Sequence, residues 1–346
     1  MKGVTMRKDV KIPTMAKPWP EVERDYPISK RENIMRVFNH EKPKWMPDIY
    51  RDVNYLYFPT DNDGPANFKG DSCDWFGVQY QYSEAQGSPT PMVGVMDSVE
   101  DWKEKVIFPD VNALDWRKGL EDYVPDHSKA FACRDGNGTF ERLHMLESFD
   151  NALTDIFLEP ELCHELFERI AQYKIDLFDN KTALFDFDFF MINDDWGTAH
   201  GPFFSTELFE QTLLGPTLEY CRHIKEKGLP LAFHNCGKNQ VFMPYLIDKL
   251  KADVLEIQPL NDLEAIFEEY GDRVSIIVQP DPYVMFDPDT TPEQARAHAR
   301  ELVDRYGAQR YRGGGALIAA RGGFEETFYA FENELYEYSS KLYANL

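Results

Sequence analysis

The sequence predicts a parallel α/β architecture, a (β/α)8 barrel preceded by an N-terminal extension, on three observations. From about residue 129 onward, short apolar runs alternate with amphipathic segments, the pattern of buried strands each followed by a covering helix. Five successive strand-helix units with tight connections can be read in this way, and a chain of 346 residues has room for one such barrel as a single unit. No GxGxxG phosphate cradle stands between a strand and a helix, and Gly313-Gly314-Gly315 lies before its strand. A doubly wound open sheet is the alternative, since sequence carries no register evidence for closure.

In order along the chain, residues 1–28 are rich in Pro, Lys and Glu and read as an arm on the surface of one domain spanning 29–346. Ser29 and Glu32 form a capping-box signature for a helix through Asn39. A first barrel strand is expected at Trp45–Tyr50. Residues 51–100 read as an excursion with one short strand over Cys73–Tyr80, bounded by Gly and Pro turns. Then come a strand at Lys129–Asp135, helices at Phe140–Leu158 and Pro160–Asn180, a strand at Phe187–Asn193, and a helix from Ser205 to Lys227 closed by Gly228. The alternation continues with strand Leu229–His234, short helix Val241–Leu250, strand Val254–Ile257, helix Leu260–Tyr270 and strand Val274–Gln279. Helix Pro292–Tyr306, strand Ala316–Ala319 and helix Glu325–Leu342 complete it.

Composition excludes several function classes. Hydrophobic residues make up 43% and aromatics 14%, enough for a large core and too many for disorder. A formal net charge of -23 argues against nucleic acid or an anionic membrane as partner, because the summed field repels phosphates. No 18-residue apolar run and no apolar leader appear, so neither a spanning helix nor a secretory signal is expected, and a soluble, cytoplasmic protein is. Five scattered cysteines, at 73, 133, 163, 221 and 236, fit reduced thiols better than a disulfide framework.

The chemistry is expected where strands end, because barrel sites form at the carboxyl ends. Asp194, Asp195 and Trp196 end one strand, His234 and Cys236 the next, Glu256 and Gln258 a third, Gln279 and Asp281 a fourth, and Arg321 follows a later one. His234 and Cys236 stand two apart, on one side of an extended backbone, and Glu256 on the neighbouring strand lies within reach of the same ion. A buried histidine beside an ordinary thiol is the other reading of that pair. Of the two aspartates, which project to opposite faces, Asp195 is assigned to the substrate side and Asp194 to orienting it. Helix capping is the alternative for one of them. Trp196 and Tyr283 are candidates for an aromatic wall, and Arg321 for holding an anion at the mouth. Arg142 and Glu147 face either the pocket or, as expected, a surface ion pair.

Asn193-Asp194-Asp195-Trp196-Gly197-Thr198, Phe204-Ser205-Thr206-Glu207-Leu208-Phe209 and Phe233-His234-Asn235-Cys236-Gly237 together resemble the uroporphyrinogen decarboxylase superfamily, particularly its zinc- and corrinoid-dependent methyltransferases. Arg31–Pro47 and the Asp74-Trp75-Phe76-Gly77 turn are similar to that branch as well. The resemblance implies a (β/α)8 barrel, a homodimer as one allowed assembly, and zinc held by His234 and Cys236 with a later cysteine as third ligand.

Two departures shape the expected function. No Arg-Gln-Ala-Gly-Arg segment is present to clamp a polycarboxylate porphyrinogen, which disfavours the decarboxylases. Where the methyltransferases carry their late cysteine, this chain reads Ala319-Ala320-Arg321. Either Glu256 replaces the thiolate, which makes zinc a better Lewis acid for a methyl ether oxygen, or the ion is absent. The expected function is transfer of a methyl group from a small O-methylated compound, aromatic ones included, to a corrinoid (cobalamin) carried by a partner protein. A decarboxylase and a non-catalytic family member are the alternatives.

Overall fold

Ser29 opens the first helix, Lys30–Phe38, by accepting the Glu32 backbone N–H (3.0 Å). The expected reciprocal half of the capping box is replaced, because the Glu32 carboxylate takes Arg36 one turn on at 3.0 Å. The computed structural model describes residues 19–65, 70–84, 88–311 and 313–346; most of the N-terminal arm lies outside them. Its described end runs along the surface, with Trp19 Nε1 donating to Gly323 O (3.0 Å) and Glu21 accepting from Lys30 at 2.6 Å.

Ten strands are described: β1 (Val53–Leu56), β2 (Ser72–Cys73), β3 (Gln79–Ser83), β4 (Ser88–Val93), β5 (Ala130–Asp135), β6 (Phe189–Asn193), β7 (Leu231–Asn235), β8 (Val254–Ile257), β9 (Ser275–Val278) and β10 (Ala316–Ile318). Seven of them form one parallel sheet in the order β1-β5-β6-β7-β8-β9-β10, so each helical crossover leads to the adjacent strand. The sheet curls as in a TIM-barrel-like fold. One face gathers Val53, Ala130, Ala132, Phe189, Met191, Ala232, Val254, Ile277, Leu317 and Ala319 into a single apolar cluster, every second residue along the strands. Intervening residues such as Phe131, Phe190, Phe233 and Leu255 pack outward with the helices. Ile34, Val37 and Phe38 of the first helix plug the amino-terminal end of the inner cluster, where Phe38 stacks on Phe189 at 4.3 Å. The opposite end, where the strands finish, is left for polar side chains.

Several expected elements are corrected. The strand at Trp45–Tyr50 is reduced to one bridge, Asp48 to Ile318, with Ile318 N donating to Pro47 O (2.8 Å). Pro47 has no N–H for a ladder and Asp48 caps a helical turn at Ile49–Asp52, which ends the pairing. The strand over Cys73–Tyr80 is two strands of a separate antiparallel sheet, β2-β3-β4. Its turn is made by Asp74, which accepts the Phe76 and Val78 N–H groups (both 3.0 Å), and by Gly77 at φ +94.

The helix at Phe140–Leu158 divides into Thr139–Leu146 and Phe149–Leu158, Ser148 capping the second. The helix at Ser205–Lys227 divides at Leu213, just before Pro216. Pro216 lacks the N–H that would reach Thr212, and the freed Thr212 carbonyl is met by His164 Nδ1 at 2.8 Å. Val241–Leu250 holds a 3-10 turn and a π turn. No described helix is long and apolar enough to cross a membrane.

The excursion is tied to the sheet by a buried ionic network. Lys174 donates to Asp63 (2.6 Å) and Asp135 (2.8 Å), while Arg142 pairs with Asp74 (2.6 Å) and Asp63 (3.2 Å). Arg142 is fully buried, so the surface ion pair expected for it is corrected: both of its acidic partners come from the excursion, far away in sequence. Glu147 is also buried, and neither of its oxygens meets a hydrogen-bond donor.

Burial and the nearby Asp155 push the Glu147 carboxyl up to about 9. A carboxyl raised in the folded state contributes its full stability below its unfolded value of 4.5 and loses it as pH climbs toward 9. Glu147→Gln is therefore expected to stabilise the protein by about 1–3 kcal/mol at pH 8, after allowance for screening, and much less at pH 5. Thermal melts of both proteins across that range check it; a gap independent of pH would contradict it.

Candidate metal centre

Strand register assembles the site. Asn193 pairs laterally with His234 and His234 with Glu256, so β6, β7 and β8 each present one polar side chain at the same level. His234 and Glu256 follow the inner residues Ala232 and Val254 by two positions, which turns both toward the inner face. Two positions further on, Asp195 and Cys236 reach the same level beyond the strand ends. The carboxyl-terminal end of the sheet therefore brings together residues from successive strands and the connections that follow them.

His234 is the hub. Its Nδ1 lies 2.8 Å from Glu256 Oε2, and its Nε2 lies 3.1 Å from Cys236 Sγ and 3.5 Å from Asp195 Oδ1. Burial lowers the affinity of this imidazole for a proton, but the Glu256 carboxylate overrides it and raises His234 to about 10. In Glu256, burial is overcome by His234 first and then by Arg134 and Arg321, which hold it well below the usual carboxylate range. Burial pushes the Cys236 thiol up against the pull of His234.

The role expected of Glu256 is corrected. It occupies the ring nitrogen opposite Cys236, so it cannot share an ion with Nε2; it orients the ring instead, leaving Nε2 to face Cys236 and Asp195. Asp195, assigned from sequence to the substrate side, is the residue that joins His234 and Cys236, and their three ligand atoms lie within 4.8 Å of one another. His234 Nε2 lies 3.1 Å from the sulfur and 3.5 Å from the oxygen, close to the roughly 3.3–3.6 Å between donors around a tetrahedral divalent ion, and the sulfur and oxygen lie within 4.8 Å of each other. Imidazole, thiolate and carboxylate are all ligand types that zinc accepts.

The other site candidates are placed as follows. Asp194 is buried and points away from the donor set, accepting the Phe140 (3.2 Å) and Glu141 (2.9 Å) N–H groups at the start of helix Thr139–Leu146. Its expected role of orienting Asp195 is thus replaced by that of a helix-terminal acceptor. Burial pushes its carboxyl up to about 7.

Trp196 is 0% exposed among Phe209, Phe233 and Phe242, which corrects its assignment as a substrate wall: it is core. Tyr283 stands in the first turn of a four-residue helix capped by Asp281, and among the described residues no hydrogen bond or ring contact ties its side chain to the donor set. Arg321 does reach the site, 3.5 Å from Glu256 Oε1, and Gln279 Nε2 approaches the same oxygen at 3.4 Å. Ala319 and Ala320 are buried beneath it.

Three residues at the site have roles that the sequence did not assign. Arg134, at the end of β5, follows inner residues Ala130 and Ala132 by alternation and donates to Asn193 Oδ1 at 2.6 Å. The signal was the small-residue alternation Ala-x-Ala-x-Arg. Gln258 and Asn261 brace the loop that carries Cys236: Gly237 N donates to Gln258 Oε1 (2.9 Å) and Asn261 Nδ2 to Gly237 O (2.9 Å).

Comparison with known proteins gives this geometry a lineage. The family model for uroporphyrinogen decarboxylase (URO-D) matches residues 143–322, more than half of the chain and all of the donor set. The chain belongs to the URO-D family. Among solved structures, this URO-D family member is similar in fold to a methyltransferase from Methanosarcina mazei, at a TM-score of 0.64 and 12% identity, covering 90% of this chain and 99% of that one. A glycosylated endo-beta-1,4-xylanase of glycoside hydrolase family 10 from Gloeophyllum trabeum gives a TM-score of 0.39 at 11% identity, over 60% of this chain and 75% of that one. None of the curated proteins matches.

Proposed function

We propose that this URO-D family member is a zinc-assisted methyltransferase that moves a methyl group from a small O-methylated compound to a corrinoid carried by a separate protein. The observation that carries the reading is the convergence of Asp195, His234 and Cys236 within 4.8 Å at the end of the sheet where the inner core stops. The family and the similarity to the Methanosarcina mazei methyltransferase support it.

Zinc bound by these three residues would supply Lewis acidity that makes an ether oxygen a better leaving group. The chain's own side chains do the rest. Glu256 holds the Nδ1 proton of His234 and so keeps Nε2 aimed at the ligand position. Gln279 and Arg321 hold Glu256 in turn. The Cys236 backbone N–H, donating to Asp195 Oδ1 at 2.7 Å, fixes the spacing of the two outer ligands. The buried aromatic layer of Trp196, Phe209 and Phe242 behind the loops keeps that spacing rigid.

The test is methyl transfer from methoxylated aromatic compounds to free cob(I)alamin, followed by its spectral change. Turnover is expected with the intact protein and a loss of at least about 100-fold in Cys236→Ser. Full activity in rigorously metal-free protein would overturn the reading. Release of carbon dioxide from a tetrapyrrole acid would favour a decarboxylase in its place.

A further inference from the structure

We infer that Arg134 and Arg321 form the binding site for an oxyanion carried by the substrate. The inference deepens the methyl-transfer reading and rests on it for identifying the bound molecule as the methyl donor.

Arg134 and Arg321 come from well-separated places in the strand order, β5 and the residues just after β10, yet both reach the polar end of the inner face: Arg321 lies 3.5 Å from Glu256 Oε1, and Arg134 donates to Asn193, which stands at the same strand level as His234 and Glu256. Arg134 is half-buried, and its guanidinium donates to the neutral Asn193; among the described residues no carboxylate pairs with it. Arg321 holds Glu256 only at 3.5 Å, while its buried Nε has no hydrogen-bond partner. Glu256 itself is already engaged, Oε2 by His234 at 2.8 Å and Oε1 by Gln279 at 3.4 Å.

One permanent cation therefore faces a neutral amide, and the other a carboxylate already engaged by His234 and Gln279, with its own Nε unpaired. Half-buried guanidiniums left short of acceptors are costly for folding and favourable for binding, because a planar fork matches two oxygens of an incoming anion. In a chain of net charge -23, a local pair of cations also supplies the attraction that the molecule as a whole withholds. The half-buried ring of Tyr55, whose hydroxyl meets at 3.6 Å the Sδ of Met191, the strand neighbour of Arg134, offers apolar surface to the body of the same ligand. Carboxylate, sulfonate and phosphate share this chemistry.

Isothermal titration of the full-length protein as purified, with benzoate, benzenesulfonate, phenyl phosphate and uncharged benzyl alcohol, tests the site. At least one anion is expected to bind about tenfold or more tightly than benzyl alcohol, and the ranking of the three identifies the preferred oxyanion. Arg134→Gln and Arg321→Gln should each weaken it about tenfold, the lysine variants less, and Arg310→Gln on the exposed surface not at all. Should a glutamine variant fail to fold, its lysine counterpart decides. Equal binding of benzyl alcohol, no binding of any anion, or unchanged affinity in both arginine variants would overturn the inference. Anion binding lost in the arginine variants but without methyl transfer would leave this site standing and remove the methyl-transfer reading; methyl transfer indifferent to both arginines would do the reverse.

Discussion

Lys174→Met is expected to destabilise the protein by about 3–5 kcal/mol, enough to unfold a protein of ordinary stability at growth temperature. Lys174 is completely buried and bridges Asp63 of the excursion to Asp135 at the end of β5. Burial alone would push the Asp63 carboxyl up, but Lys174 and Arg142 overcome it and hold it below the ordinary range. Removing the ammonium leaves two buried carboxylates facing each other, and the loss of one partner costs far more than the net worth of the intact pair. Lys103→Met serves as the control. Its pair with Glu165 is solvent-exposed and should change stability by less than about 1 kcal/mol. Urea unfolding of the two variants checks the contrast, and similar small shifts in both would show that the network is not what fastens the excursion.

Gly237→Ala is expected to disable the candidate site. Gly237 has φ +97, a conformation that costs an L-residue about 1–2 kcal/mol, and a Cβ there would fall 2.2 Å from the backbone carbon of Gly197. The clash is with backbone, so neither loop can yield by a rotamer change. Gly197 lies two residues after Asp195, and Gly237 directly follows Cys236. Close contact of the two glycines is what lets both ligands face His234. With the loops forced apart by about an ångström, metal affinity should fall at least about 100-fold and stability by roughly 3 kcal/mol or more. Gly201→Ala, where an added Cβ meets nothing within 4 Å, should be neutral in both respects. Metal titration and thermal melts of the pair decide; tolerance of the Gly237 variant would mean that the loops do not need this approach.

The parallel alternation was legible because each strand from β5 onward carries a short apolar run with a helix following it, and burial on both faces is what makes runs such as 189–192 or 231–233 apolar without a break. The excursion was not. Its strands are short, β4 carries Pro89 and Pro91, and its stability comes from Arg142 and Lys174, whose acidic partners lie 39 to 111 residues away. Arg142 consequently read as a surface residue.

At the site, period two placed His234, Cys236 and Glu256 on one face, but it does not determine which ring nitrogen of His234 meets which neighbour. That choice depends on imidazole rotation, and it exchanges the roles of Glu256 and Asp195. Alternation likewise separated Asp195 from Asp194, while the capping of helix Thr139–Leu146 by Asp194 required a contact between elements 53 and 54 residues apart. Trp196 was indistinguishable in sequence from a pocket wall, because an aromatic after a strand end packs inward or outward according to the helices that cover it.

The most direct measurement of the donor-set claim is zinc content and affinity in the intact protein, Asp195→Ala and Glu256→Gln, by elemental analysis and competitive chelator titration. About one ion per chain is expected in the intact protein, nearly complete loss in Asp195→Ala, and retention with about 10–100-fold weaker affinity in Glu256→Gln, where an orienting partner of His234 is removed but no ligand. Protein that takes up no zinc, or that loses it completely in Glu256→Gln while Asp195→Ala keeps it, would contradict the assignment of Asp195, His234 and Cys236 as the metal-holding set.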